Sequence, residues 1–190
     1  MLEEKEILNS ILGNTVGFFL EIGAGDGKTN SLTGDLAAKG WYATLVEPSC
    51  YKVEKLQEIY GNEKHQVFNF ALSPTSESYF RDTSNEGLPD KVLELFELKK
   101  AKEEFIPLFL YYNTPTLLSR ISVIHTFDLI VINIKNPGFI LKGLISMVNK
   151  AKFVCLKKPD DFYSLKEIGN ILEKHTLVDE TGTYLFYQRS

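Results

Sequence analysis

The chain has 190 residues, 44% of them hydrophobic and 24% charged, with a formal net charge of −4. That length and apolar content suit a single domain with a real core. No excess of Lys and Arg marks a groove that follows a nucleic-acid backbone, because "LKKAKEE" (98–104) and "CLKKPDD" (155–161) carry their own acids and read as solvated faces.

Residues 3–13 have helical spacing, with Ile7, Leu8, Ile11 and Leu12 on one side. "TVGFFLEI" (15–22) is a short apolar run, long enough for a buried strand and too short for a buried helix. After three glycines, "NSLTGDLAAKG" (30–40) places Leu32, Leu36 and Ala37 at helical intervals and stops at Gly40. "WYATLVEP" (41–48) predicts a second strand closed by proline, and "YKVEKLQEIYG" (51–61) a helix with Val53, Leu56, Ile59 and Tyr60 on one face. "QVFNFALS" (66–73) predicts a third strand. Strands alternating with helices across short connections imply right-handed crossovers and a parallel sheet.

The pattern resumes at "TFDLIVINI" (126–134), apolar on both faces as a central parallel strand should be. A helix near 139–149, a strand at 151–157 and a helix near 163–174 follow. "HTLVDETGTYLFYQRS" reads as two strands around "DETGT", the last pairing antiparallel at one edge. Between these halves, 89–105 has helical character, and 106–125 mixes signals around Pro107 and Pro115. The expected organisation is one domain over 1–190, with an N-terminal helix in 1–14 and a variable insertion at 81–125. The fold class is α/β, a doubly wound and mostly parallel sheet with an antiparallel C-terminal edge strand.

Cys50 and Cys155 make neither a disulfide framework nor a metal-ligand spacing, and read as free thiols in a reducing compartment. His65 and His175 have no partner at such spacing either, so no metal is expected. Trp41 is expected to pack at the start of the second strand. The opening "MLEEKEILNS" lacks a positive n-region and a long apolar h-region, and no apolar run approaches a membrane span. A soluble, cytoplasmic chain is the expectation.

The functional signal is "FFLEIGAGDG" (18–27). In an open parallel sheet, ligands collect beyond the carboxyl ends of the strands, where the first strand hands over to its helix. Glycines there let backbone N–H groups approach a ligand. Glu47, twenty residues past Gly27, ends the second strand, where an acid can accept hydrogen bonds from both ribose hydroxyls. A dinucleotide loop spaces its glycines G-x-G-x-x-G, whereas this one is Glu21, Gly23, Gly25, Gly27. A carboxylate before the first glycine does little for a pyrophosphate and suits a ligand with an ammonium and a sulfonium. S-adenosylmethionine (SAM) has both.

The stretch from Phe18 to Ser49 resembles the opening of the FkbM-type family of SAM-dependent methyltransferases, in Gly23-Ala24-Gly25-Asp26-Gly27, Asn30-Ser31, Gly40-Trp41 and Val46-Glu47-Pro48. The resemblance covers about 18–80 and implies a class I, Rossmann-like methyltransferase with SAM as cofactor. It implies that Glu21, Gly23, Ala24, Gly25, Asp26, Asn30, Glu47 and Pro48 lie at the cofactor, that Ala71 and Leu72 meet adenine, and that Asn133 lines the mouth. The family's second signature, roughly I-D-x-E-G-x-E, is degenerate here: "INIKNPGFILKGL" (132–144) has Asn133 and Lys135 where acids are expected. The catalytic base is therefore unassigned, with Tyr111, Tyr112, His125 and Asp128 as ionisable candidates. The expected function is methyl transfer to oxygen on a small molecule or sugar, with no nucleic-acid partner. A catalytically silent SAM-fold module is the rival, and an NAD-dependent oxidoreductase fits the glycine spacing less well.

Overall fold

The computed structural model describes residues 2–61, 64–69, 71–73, 80–81, 109–113, 126–135, 137–160 and 162–190, with the backbone alone at 71–73, 80–81, 109–113, 139, 162 and 163. Helix α1 (Leu2–Leu12) leads into β1 (Phe18–Ile22), β2 (Tyr42–Val46), α2 (Cys50–Tyr60) and β3 (Gln66–Phe68). Two short strands, β4 (Ala71–Ser73) and β5 (Phe80–Arg81), precede β6 (Phe109–Asn113). Then come β7 (Leu129–Ile132), α3 (Pro137–Gly143), α4 (Ile145–Val148), β8 (Phe153–Lys157), α5 (Phe162–Ile171), β9 (His175–Glu180) and β10 (Tyr184–Arg189).

Seven strands form the main sheet in the order β3-β2-β1-β7-β8-β10-β9. From β3 to β8 the pairing is parallel, with Glu21 level with Leu45 on one side and Val131 on the other. β10 runs antiparallel to both β8 and β9, so the expected antiparallel strand lies one in from the edge and β9 forms the border. The turn between them is held by Thr181, whose Oγ1 accepts the amides of Thr183 and Tyr184.

Strand alternation sends side chains to two separate cores. Leu20, Ile22, Ile130, Ile132 and Val154 pack on one face against Ile140, Leu144, Ile168 and Leu172 of α3 to α5 and their flanks. Phe19, Leu45, Val131, Cys155 and Phe186 pack on the other against Leu8 and Leu12 of α1, Leu56 and Tyr60 of α2, and Trp41. Each such side chain contributes roughly 1.5–3 kcal/mol by leaving water. All four residues of β7 are buried, which is why that strand shows no alternation in sequence.

Two expectations change. Residues 34–40 form successive tight turns rather than a regular helix, with amides reaching back three residues from Leu36 to Thr33, Lys39 to Leu36 and Gly40 to Ala37. Gly34 lies too close to the Gly27 carbonyl for a Cβ, which would sit 2.9 Å from that oxygen, and Thr33 spends its hydroxyl on Glu21. The third strand is split: β3 belongs to the main sheet, whereas β4 pairs with β6 in a separate three-stranded sheet. Asn69 marks the break, its Nδ2 donating to the Glu47 and Pro48 carbonyls. The helix expected at 89–105 lies outside the described residues, as does the Lys-rich 98–104. Within the expected insertion, the described segments 81 and 109–113 are strand.

Candidate functional site

The sheet order reverses between β1 and β7, and the chain leaves the sheet there in opposite directions. A cavity of about 470 Å³ opens at this point, over the carboxyl ends of β1, β2, β7 and β8 and the amino end of β10. Its size is that of a small-molecule site.

The glycine loop forms its floor. Gly23 and Ala24 donate their amides to the Val46 carbonyl, extending the β1–β2 ladder past the strand end. A Cβ on Gly23 would lie 2.6 Å from the Asn133 carbonyl oxygen, so this glycine lets β1 and β7 close together. Gly25 shares the positive φ of Gly23, +63° against +78°, but a Cβ there would meet nothing within 4 Å, because it would project into open space beside the cavity. Asp26 shapes the next turn by accepting the amides of Lys28 and Thr29 and the Thr29 hydroxyl. Burial would raise its pKa, but those hydrogen bonds outweigh burial and hold the carboxyl below its ordinary value.

Glu47 is buried on the cavity wall, 3% exposed. Its Oε2 accepts the Gly25 amide at 2.9 Å and its Oε1 the Ser49 amide at 3.0 Å. One carboxylate thus ties the glycine loop to the start of α2. Asn133 sits opposite, its Nδ2 donating to the Gly23 carbonyl and its Oδ1 accepting the Tyr184 hydroxyl at 2.8 Å.

Glu21 occupies a different place. It points from β1 into the face covered by α1 and α2, is 1% exposed, and is absent from the cavity wall. Its Oε2 accepts the Thr33 hydroxyl, while Oε1 finds no partner among the described residues. Burial pushes its pKa up to about 8, the Thr33 bond opposes this, and the Glu47 charge adds to it. At neutral pH Glu21 is a neutral carboxylic acid underneath the loop, so it offers no countercharge to a ligand above.

Of the residues expected at a cofactor, Gly23, Gly25, Asn30, Glu47 and Asn133 share the wall. Glu21, Ala24, Asp26 and Pro48 support it from behind or beside, Ala24 being a core residue at 3% exposure. Ala71 and Leu72 are described only as backbone in β4. Sequence reasoning missed Glu4, Thr29, Lys52, Lys157, Thr183 and Tyr184, which complete the wall. Lys157 was findable, since it ends β8 as Glu47 follows β2, and it corrects the view of 155–161 as only a solvated face. Glu4 and Tyr184 carry no local signal.

Among the base candidates, Asp128 is corrected outright. It stands at the amino end of β7, the far end from the cavity, where it accepts the Phe18 amide and pairs with Lys152 at 2.7 Å. Tyr111 and Tyr112 are described only as β6 backbone, and His125 lies outside the described residues. His65 accepts the Ala43 amide on Nδ1, and the Nε2 of His175 bonds the Ala151 carbonyl, so both are structural. Among the described residues no group of three or more His, Cys, Asp or Glu could hold a metal, and no helix is long and apolar enough to cross a membrane.

No family model matches the chain, and no curated protein matches it. Solved structures do. The METTL16 methyltransferase domain superposes with a TM-score of 0.54 at 14% identity, over 98% of this chain and 66% of that one. The T. thermophilus 16S rRNA N2 G1207 methyltransferase RsmC, solved with AdoMet and guanosine, gives 0.54 at 15%, over 100% of this chain and 42% of that one. A TehB-like SAM-dependent methyltransferase from Corynebacterium glutamicum gives 0.51 at 10%, over 98% and 87%. The fold is therefore that of the class I, Rossmann-like SAM-dependent methyltransferases.

Proposed function

We propose that the chain binds SAM in this cavity and transfers its methyl group. The observation that carries the reading is the open space at Gly25 beside the buried Glu47 carboxylate, at the switch point of a fold shared with SAM-dependent enzymes. The cofactor would supply a methyl group made electrophilic by its sulfonium. On this reading the backbone of residues 23–25 lies along it, Glu47 takes the ribose hydroxyls and the β4 region faces adenine. Glu21, neutral and hidden, supports the loop from below. Asn133, fixed between the Gly23 carbonyl and the Tyr184 hydroxyl, borders the path of the acceptor. It has no proton-accepting role, and alignment with exclusion of water supplies most of the acceleration.

The FkbM-type resemblance and a small hydroxylated acceptor are the finer form of this reading. The loop and "VEP" motifs support the first, and the net charge of −4 supports the second over a polyanion. One neighbour by fold acts on 16S rRNA, so RNA belongs in the acceptor panel. Calorimetric titration with S-adenosylhomocysteine, SAM and NAD tests the core claim. Heat with the adenosyl ligands, none with NAD, and its loss in a folded Glu47→Gln protein are expected. A folded wild type that takes up neither adenosyl compound overturns it. Asn133 and Lys135 in place of acids favour a second reading, a SAM-binding module without catalysis. Adenosylhomocysteine released in the presence of any acceptor rejects that alternative.

A further inference from the structure

A second cavity, of about 420 Å³, opens at the opposite edge of the sheet, where α1 turns toward β1 and the 34–40 turns lead into β2. It shares no lining residue with the switch-point cavity. The five residues of β1 separate the two by ~16 Å, so a ligand here does not reach the glycine loop.

The floor of this cavity is apolar and consists of Leu12, Leu36 and Trp41, all buried. Its rim is polar, from Asn9, Asn14, Thr15 and Lys39, apart from the exposed Val16. Among the described residues Lys39 is the only charged side chain on the wall. Two bridges cross from the 34–40 turns to α1, one helical turn apart at Lys5 and Asn9. In the first, the Lys5 ammonium meets an acid, Asp35, at 3.3 Å, and the charges cancel. In the second, the Lys39 Nζ donates to the neutral Asn9 Oδ1 at 2.5 Å, which fixes an ammonium at the cavity mouth and leaves its charge uncompensated. An ammonium has three donors, and Asn9 takes one of them.

That wall asks two things of a ligand. An apolar body is needed to displace water from Leu12, Leu36 and Trp41, and a negative group at one end to meet Lys39. A neutral ligand forgoes the charge, and a cation is repelled by it. We propose that this cavity is a second small-molecule site, which takes a monoanion with an apolar body, such as an aryl or short alkyl carboxylate. The anionic group docks on the Lys39 ammonium and the body lies over Trp41. The site has its own chemistry and stands or falls without the cofactor reading.

The single tryptophan, Trp41, lies in the floor and reports occupancy directly. Wild type, Lys39→Met and Lys39→Arg are titrated with phenylacetate, 2-phenylethanol and 2-phenylethylamine while Trp41 emission and melting temperature are followed. These probes carry a negative charge, no charge and a positive charge on one apolar body. Wild type should bind phenylacetate about fivefold tighter than the alcohol, with the amine weakest, a modest preference because Lys39 is exposed. Lys39→Met should bring phenylacetate down to the level of the alcohol while affinity for the alcohol stays within about twofold. Lys39→Arg should keep the preference. A folded wild type in which phenylacetate moves neither Trp41 emission nor the melting temperature overturns the site. So does a Lys39→Met protein that weakens acid and alcohol alike. A Lys39→Met protein that melts lower yet binds phenylacetate as wild type does also overturns it, and assigns Lys39 to the carboxyl end of α1.

Discussion

Gly23 and Gly25 look interchangeable in sequence, yet the structure gives them different work. An alanine at 23 would drive its Cβ to 2.6 Å from the Asn133 carbonyl, with φ at +78°. Gly23→Ala should cost upward of about 2 kcal/mol of folding stability, read as a lower urea midpoint. An alanine at 25 meets no protein atom and carries only the strain of positive φ, about 1–2 kcal/mol. Its methyl would occupy space a ligand needs, so Gly25→Ala should lower adenosylhomocysteine affinity far more than stability. A Gly25→Ala protein with undiminished affinity would remove the loop from the binding surface. Glu21 carries a separate, pH-dependent consequence. Its pKa rises from an ordinary 4.5 unfolded to about 8 folded, so the folded state holds the proton more tightly. Its contribution is complete below pH 4.5 and is lost as pH climbs toward about 8, with a slope of up to about 1.4 kcal/mol per pH unit. Glu21→Gln mimics the protonated form and should flatten that slope in urea titrations between pH 5 and about 8. An identical slope in the variant would show that the carboxyl ionises freely in the fold.

At the scale of elements, the two edges of the sheet divide the labour: the carboxyl edge holds the cavity and the amino edge is clasped by Asp128. Its carboxylate joins the start of β1, through the Phe18 amide, to Lys152 just before β8. Removing it in Asp128→Ala takes away both the hydrogen bond to the part-buried Phe18 amide and the Lys152 pair, and should cost about 1–3 kcal/mol. Ligand affinity should not move, because the cavity lies at the other end of β1 and β7. A large loss of methyl transfer at unchanged stability would return Asp128 to the list of bases. Most of this architecture was legible from the sequence. "TFDLIVINI" announced a strand buried on both sides, and "YKVEKLQEIYG" a helix, because their apolar periods report burial directly. The segment 30–40 has a helical period too, but close backbone contact at Gly34 and the Thr33 bond to Glu21 override propensity, and neither is a local property. The wall split in the same way. Gly25 and Glu47 sit where a strand gives way to a turn, a position visible in sequence, whereas Tyr184 reaches the cavity through strand order and Glu4 through the packing of α1 on the sheet. Glu21 misled because spacing shows that an acid precedes the glycines but not which face of β1 it occupies.

For the whole molecule, the switch-point cavity makes ligand binding and global stability one measurement. A ligand that binds only the folded chain adds about 2.7 kcal/mol at a hundredfold excess over its Kd. At this chain length that corresponds to a rise in melting temperature of about 5–10 °C. The single tryptophan, Trp41, is buried against Phe19 and gives a fluorescence signal for the transition. Saturating adenosylhomocysteine should raise the midpoint by that amount and NAD should leave it alone; the reverse pattern would favour an oxidoreductase. The inward position of β10 also governs the order of events during synthesis. A nascent chain acquires its glycine loop early, but Tyr184 reaches Asn133 only once β10 has slotted between β8 and β9. Until then the glycine loop and Glu47 face a wall that still lacks Tyr184, so a ribosome-tethered fragment stopped before that strand holds Asn133 from one side only, by the Gly23 carbonyl.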